Sequence, residues 1–123
     1  MSRSILFSLF LAVAGAGSAA NASEPEGERI FMTRCAGCHA LDENRRGPAL
    51  RGIVGRQVAG HLGYEYSSGL RTEHFVWDEQ RLDQWLQNPK QLVPGARMNA
   101  RFANADDRRA VIAFLREQTQ TVR

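Results

Sequence analysis

A chain of 123 residues carrying 16 Lys and Arg against 13 Asp and Glu has room for one domain, and too small a charge excess to track nucleic acid. Its acidic residues are scattered among the basic ones, which permits docking on an acidic partner without demanding it. No internal repeat, low-complexity tract or second apolar segment interrupts it, so repeat arrays and multi-span membrane proteins are excluded.

The first 22 residues read as an export signal. Arg3 gives a positive start, residues 5–14 form an apolar run, and Ala20-Asn21-Ala22 is a small-x-small cleavage site. The run is shorter than the roughly 20 residues of a membrane helix, which favours cleavage over an uncleaved anchor. Cleavage after Ala22 leaves 123 − 22 = 101 residues, 23–123, as a single domain, and removing Arg3 takes the net charge from +3 to +2. The expected compartment is the periplasm, where an unprotected pair of cysteines tends to oxidise.

A first helix is predicted over residues 26–38. Glu24, Glu26 and Glu28 stand at its start and Arg34 near its end, both favourable to the helix dipole. Gly27, Phe31 and Cys35 recur along one face. The helix ends in Cys35-Ala36-Gly37-Cys38-His39, which holds the only two cysteines.

Three chemistries use such a pair. A zinc site needs four N or S ligands; Cys35, Cys38 and His39 supply at most three at an awkward spacing, and His61 and His74 form no motif with them. A thioredoxin-like disulfide belongs after a strand in a βαβ pattern, whereas these cysteines follow a helix. C-x-x-C-H is also the signature of covalent heme attachment, with both thiols on the heme and the adjacent histidine beneath the iron. Five residues make a short pattern, so the rest of the chain has to supply the remainder.

Between His39 and Trp77 the chain is rich in glycine, and loops with helical turns near 49–53 and 67–70 are predicted. A second helix runs from an Asp78 cap to about Gln87, with Leu82, Trp85 and Leu86 as its stripe and Pro89 ending it. Val93-Pro94-Gly95-Ala96-Arg97-Met98 then reads as an irregular loop. The last helix starts at an Asn104 cap, carries Asp106 and Asp107 in its first turn, presents Val111, Phe114, Leu115 and Gln118 on one face, and runs to about Gln118 or Thr119. No strand is predicted. The domain is therefore all-α, three main helices with long loops, and loops of that length are uncommon unless they wrap something.

A heme iron would need a ligand on its other face or an open position for chemistry, and two methionines follow residue 22. Met32 lies one turn before Cys35 and cannot reach the opposite face. Met98 lies 98 − 39 = 59 residues beyond His39, enough chain to pass round a heme.

With these motifs placed, the chain resembles the small class I cytochromes c, the mitochondrial protein and its bacterial relatives. The likeness rests on "GERIFMTRCAGCHAL", "GPALRGIVGR", "GYEYSSGL", "WDEQRLDQWLQNPKQLVPGARM" and "DDRRAVIAFLRE", in that order, and covers essentially all of residues 23–123. It implies the cytochrome c fold around one covalent heme c per chain. Cys35 and Cys38 would bind its vinyl groups, His39 would be the proximal ligand and Met98 the distal one. Pro48 would offer its carbonyl to the other His39 nitrogen. Arg56, Tyr66 and Trp77 match positions that surround the propionates, which are costly to bury without partners. Gly27 and Phe31 would pack on Phe114 and Leu115.

Three positions depart from the family pattern. Trp85 stands where a tyrosine is common, Ala96 replaces a hydroxyl residue, and the aromatic two residues after the methionine is missing, Phe102 being the next one. The resemblance implies a soluble, monomeric carrier of single electrons between transient redox partners, with arginines 45, 46, 51, 97 and 101 near the heme, no membrane span after cleavage and no catalytic residues. Its rivals are a subunit dedicated to one oxidoreductase and an open-iron heme enzyme or ligand binder, the latter requiring Met98 off the iron.

Overall fold

The computed structural model describes residues 23–120 and position 15; the export signal read at 1–22 otherwise lies outside the described residues. Helix α1 spans Ser23–Ile30 and passes into a π-helical turn, Phe31–Cys35. This corrects the single α-helix expected over 26–38. The Thr33 hydroxyl takes the Arg29 carbonyl at 2.8 Å, the acceptor its own backbone N–H would use in an α-helix, and such back-bonding loosens a helix. The widened turn closes with Ala36 N–H on the Phe31 carbonyl at 2.9 Å. Single π turns of this kind recur at functional sites.

From His39 the chain runs through loops to α2, Ser68–Arg71, capped by the Ser67 hydroxyl accepting from Leu70 N–H at 3.3 Å. The turn expected at 49–53 is present, with Ile53 N–H on the Leu50 carbonyl at 3.0 Å. Among the described residues there is no strand, only one antiparallel bridge between Gln57 and Val76. Its neighbours extend it through Trp77 N–H to the Arg56 carbonyl and Gly55 N–H to the Trp77 carbonyl, both 2.8 Å, which fixes Trp77 ahead of the next helix.

Helix α3, Glu79–Gln87, starts where the sequence placed it: the Asp78 carboxylate accepts from Arg81 N–H at 2.6 Å. Pro89 ends α3, as expected, and also begins a further one-turn helix, α4, Pro89–Leu92, which the sequence reading missed. A proline without an N–H suits a first helical position. Helix α5, Ala105–Gln120, starts with the Asn104 side chain accepting from Asp106 N–H at 2.8 Å and Asp107 N–H at 3.1 Å.

The frame is the crossing of α1 with α5, with α3 laid against α5. At the crossing Gly27 has no side chain to spare: a Cβ there would meet the Ala110 carbonyl oxygen and lie 2.7 Å from the Phe114 Cβ. The Phe31 and Phe114 rings meet beside it, centroids 5.4 Å apart. Ile30, Val111, Leu115 and Phe102 are buried behind this contact, and on the other side the loops close over a cavity.

Candidate heme site

The cavity has a volume of about 470 Å³ and an apolar wall made by Leu50, Ile53, Leu70, Leu82, Leu86, Val111 and Leu115. Of the residues singled out from sequence, Cys35, Cys38, His39, Pro48, Tyr66, Trp77, Trp85 and Met98 all line it. They come from the π turn, the loop after it, the bridge, α3 and the loop after α4.

The cysteine wall is shaped by local backbone. Cys38 and His39 both return their N–H groups to the Cys35 carbonyl, at 3.1 and 2.9 Å, so a tight turn brings the three side chains to one side. Neither cysteine is in a disulfide. Burial pushes the Cys35 thiol up to about 11, against the pull of the Arg34 charge. It is a neutral thiol, not the activated thiolate of a redox pair. Among the described residues no three His, Cys, Asp or Glu side chains gather as metal ligands.

His39 is held from two sides. Its Nδ1 lies 2.9 Å from the Pro48 carbonyl oxygen. A carbonyl only accepts, so Nδ1 carries the proton and Nε2 keeps its lone pair. Burial lowers the pKa of His39, outweighing the Pro48 bond, so the ring is neutral and able to ligate. Gly47 lies flat against the imidazole, where a Cβ would collide with the ring; its N–H returns to the Cys38 carbonyl at 2.9 Å.

Met98 is half-buried, and the indole Nε1 of Trp85 donates to its sulfur at 3.2 Å. Trp85 in turn packs edge-on against Trp77, centroids 5.2 Å apart, and Trp77 against Phe75 at 4.9 Å. This row of rings fixes the indole. Ala96 is buried, its N–H on the Val93 carbonyl at 3.1 Å. Asn99 and Ala100 line the cavity beyond Met98, while Phe102 is fully buried and stands outside the lining.

Arg56 does not line the cavity. Its guanidinium donates to the Ala49 and Arg51 carbonyls at 2.8 and 2.7 Å. Burial lowers its pKa, with Tyr66 beside it opposing. Tyr66 is buried on the cavity side, its oxygen accepting from His61 N–H at 3.2 Å. Arg56 therefore stands behind Tyr66. The structure adds Tyr64, Ser67 and Arg46 to the wall, which the sequence reading had not singled out as binding residues. Tyr64 and Tyr66 alternate along an extended stretch, and their shared "YEY" pattern was the available signal.

The donor set suits a heme. Two thiols sit on one wall, a neutral imidazole has one nitrogen engaged and one free, a thioether is held by a single donor, and the rest is aliphatic and aromatic. Covalent attachment would use both thiols, and an imidazole and a thioether are donors that a heme iron accepts.

Comparison with known proteins agrees. The family model described as Cytochrome c matches residues 25–119. Cytochrome c of Gibberella zeae is 35% identical over 99 residues, 77% of this chain and 93% of that one. Cytochrome c of Sesamum indicum is 39% identical over 97 residues, 76% of this chain and 87% of that one. Among solved structures, cytochrome cH from Methylobacterium extorquens superimposes with a TM-score of 0.73 at 34% identity, covering 76% of this chain and 97% of that one.

Proposed function

The chain belongs to the cytochrome c family, an all-α electron carrier with one covalent heme c and not an enzyme, and on that premise we propose that it shuttles single electrons between larger redox complexes in the periplasm through a His/Met-ligated iron. Cys35 and Cys38 hold the heme by its vinyl groups, and His39 and Met98 ligate the iron. When bound, the heme supplies a one-electron couple. Every other contribution comes from the chain.

Pro48 fixes the His39 tautomer and orientation. Trp85 holds the Met98 sulfur. Tyr66 and Trp77, with Arg56 behind them, would surround the propionates, so that the carboxylates would keep hydrogen-bonding partners away from water. Because the ligands are pre-set by Pro48 and by the Trp77–Trp85 contact, little has to move when charge changes. Among the described residues no helix is long and apolar enough to cross a membrane, and the signal-like residues 1–22 support export. Contacts with redox partners of this kind are small and brief.

The observation that carries this reading is the joint lining of one cavity by His39, its Nδ1 engaged, and Met98, its sulfur engaged. The test is protein matured in a heme-attaching periplasm. A pyridine hemochrome spectrum should show a heme bound through two thioethers, and the ferric protein should show a methionine–iron charge-transfer band and bind cyanide slowly. Rapid cyanide binding with no such band would overturn the ligation.

A further inference from the structure

The loop that carries Met98 is suspended between two buried points, Ala96 and Phe102. Of the five residues between them only Met98 is partly buried; Arg97, Asn99, Ala100 and Arg101 are exposed. The second anchor is unusually well tied. Phe102 donates its N–H to the Leu86 carbonyl of α3 at 2.8 Å. Its carbonyl accepts from Arg108 Nη1 at 2.8 Å, and the same nitrogen reaches the Ala103 carbonyl at 3.0 Å. Arg108 is itself held by Asp83 of α3 at 2.7 Å.

The remaining tie comes from the opposite wall. The Arg34 guanidinium lies 3.8 Å from the centroid of the Phe102 ring, and its Nη2 donates to the Arg101 carbonyl at 3.1 Å. Arg34 directly precedes Cys35, and it also lines the cavity. One exposed side chain thus connects the cysteine wall to the end of the methionine loop. The bland alternative is a solvated surface charge, but a solvated charge has no reason to stack on a fully buried ring and bond the neighbouring carbonyl at once.

Resting on the His/Met reading above, we propose that Arg34 is a positioning residue for Met98: by clamping Arg101 and Phe102 it sets how often the methionine leaves the iron. An added ligand such as imidazole binds only when Met98 is off, so its apparent affinity rises in proportion to the population of that state. Losing a stacked cation and a carbonyl hydrogen bond together should raise that population about tenfold.

The experiment uses ferric holoprotein with Arg34→Gln, Phe102→Leu, the double variant and Arg34→Lys, matched for heme content by pyridine hemochrome. Imidazole is titrated while the methionine–iron band is followed. Arg34→Gln should tighten apparent imidazole binding about tenfold, and Arg34→Lys should recover part of the difference. The double variant should fall clearly short of the two single effects combined, because both substitutions remove the same stacked contact. Phe102→Leu changes no charge, so this cycle separates the clamp from a bare charge effect on the iron. The clamp is wrong if Arg34→Gln stays within about twofold of the parent, or if the two substitutions act additively. A parent that lacks the methionine–iron band fails at the ligation itself, which is a different result from a parent that has the band and an Arg34→Gln variant that behaves like it.

Discussion

Trp85 donates its indole N–H to the Met98 sulfur at 3.2 Å. A donor on a thioether withdraws electron density from the lone pairs that would face the iron, which weakens the sulfur as a ligand for the ferric state more than for the ferrous. Trp85→Phe keeps an aromatic ring facing Trp77 and removes the N–H together with part of the indole's bulk. A weak hydrogen bond of about 0.5–1 kcal/mol, converted for one electron, corresponds to roughly 20–40 mV. The reduction potential of Trp85→Phe should therefore fall by about that amount in protein-film voltammetry. A potential that stays put or rises would mean that the bond does not discriminate between oxidation states.

Gly47 gives a steric prediction on the other face. A Cβ there would lie 2.6 and 2.7 Å from the two ring nitrogens of His39, so Gly47→Ala must push the imidazole or tear the Pro48 bond. Overpacking of this kind costs about 1–3 kcal/mol, and in a domain of this size each kcal/mol lowers Tm by about 4–8 °C. The variant should melt several degrees lower and carry less heme per chain. Arg109→Ala, which changes only an exposed pair with Asp106 on α5, should leave the heme content intact.

Much of this was legible in the sequence, and the misses have physical causes. The Asp78 cap and the Leu82, Trp85 and Leu86 stripe placed α3, because cap chemistry and periodicity are local. The π turn at Phe31–Cys35 was invisible: the spacing of Gly27, Phe31 and Cys35 suits an α-helix as well, and what diverts the backbone is a Thr33 hydroxyl bond. Pro89 was read only as a stop, although the residue that stops one helix is also suited to start the next. Cys35, Cys38, His39 and Met98 came from a short motif and the chain length beyond it, whereas Pro48, Arg56, Tyr66 and Trp77 came from the resemblance, not from periodicity. Arg56 shows the limit of that route, since its guanidinium is engaged by the Ala49 and Arg51 carbonyls and reaches the cavity only through Tyr66. Phe102, the next aromatic after the missing one, turns inward to anchor the loop, held by the Leu86 carbonyl of α3 and by Arg108 of α5.

At the α1–α5 crossing two effects of a single methyl oppose each other. Gly27→Ala improves helix propensity by about 1 kcal/mol. The same methyl would run into the Ala110 carbonyl oxygen and sit 2.7 Å from the Phe114 Cβ. The obstacle is backbone, which cannot swing aside, and separating two packed helices costs about 1–3 kcal/mol or more. Because the obstacle is backbone, the steric cost should fall at the upper end and win: denaturant unfolding of the holoprotein should show a net loss of stability of up to about 2 kcal/mol. A stabilised Gly27→Ala would show that the helices slide apart freely.

Asp42 and Arg51 give the pH dependence. The Asp42 carboxylate accepts from Arg51 Nε at 2.6 Å and Nη2 at 3.0 Å, and the same guanidinium reaches Gln118 of α5 at 3.1 Å. The Arg51 hydrogen bonds hold the Asp42 carboxyl below its usual value, against an opposing effect of burial and with help from the Arg51 charge. A folded pKa depressed below the unfolded one contributes stability that is complete above the unfolded value of about 4 and disappears as pH falls through the folded pKa. Asp42→Asn should therefore be less stable than the parent at neutral pH, and the two should converge in acid. Because the pair is exposed, the difference should also shrink as salt is raised. Unfolding followed by far-UV circular dichroism at pH 7, 5, 3 and 2 checks this. A gap that persists at the lowest pH would assign the loss to packing of the loop after His39, and the ion pair would then have no part in holding that loop against α5.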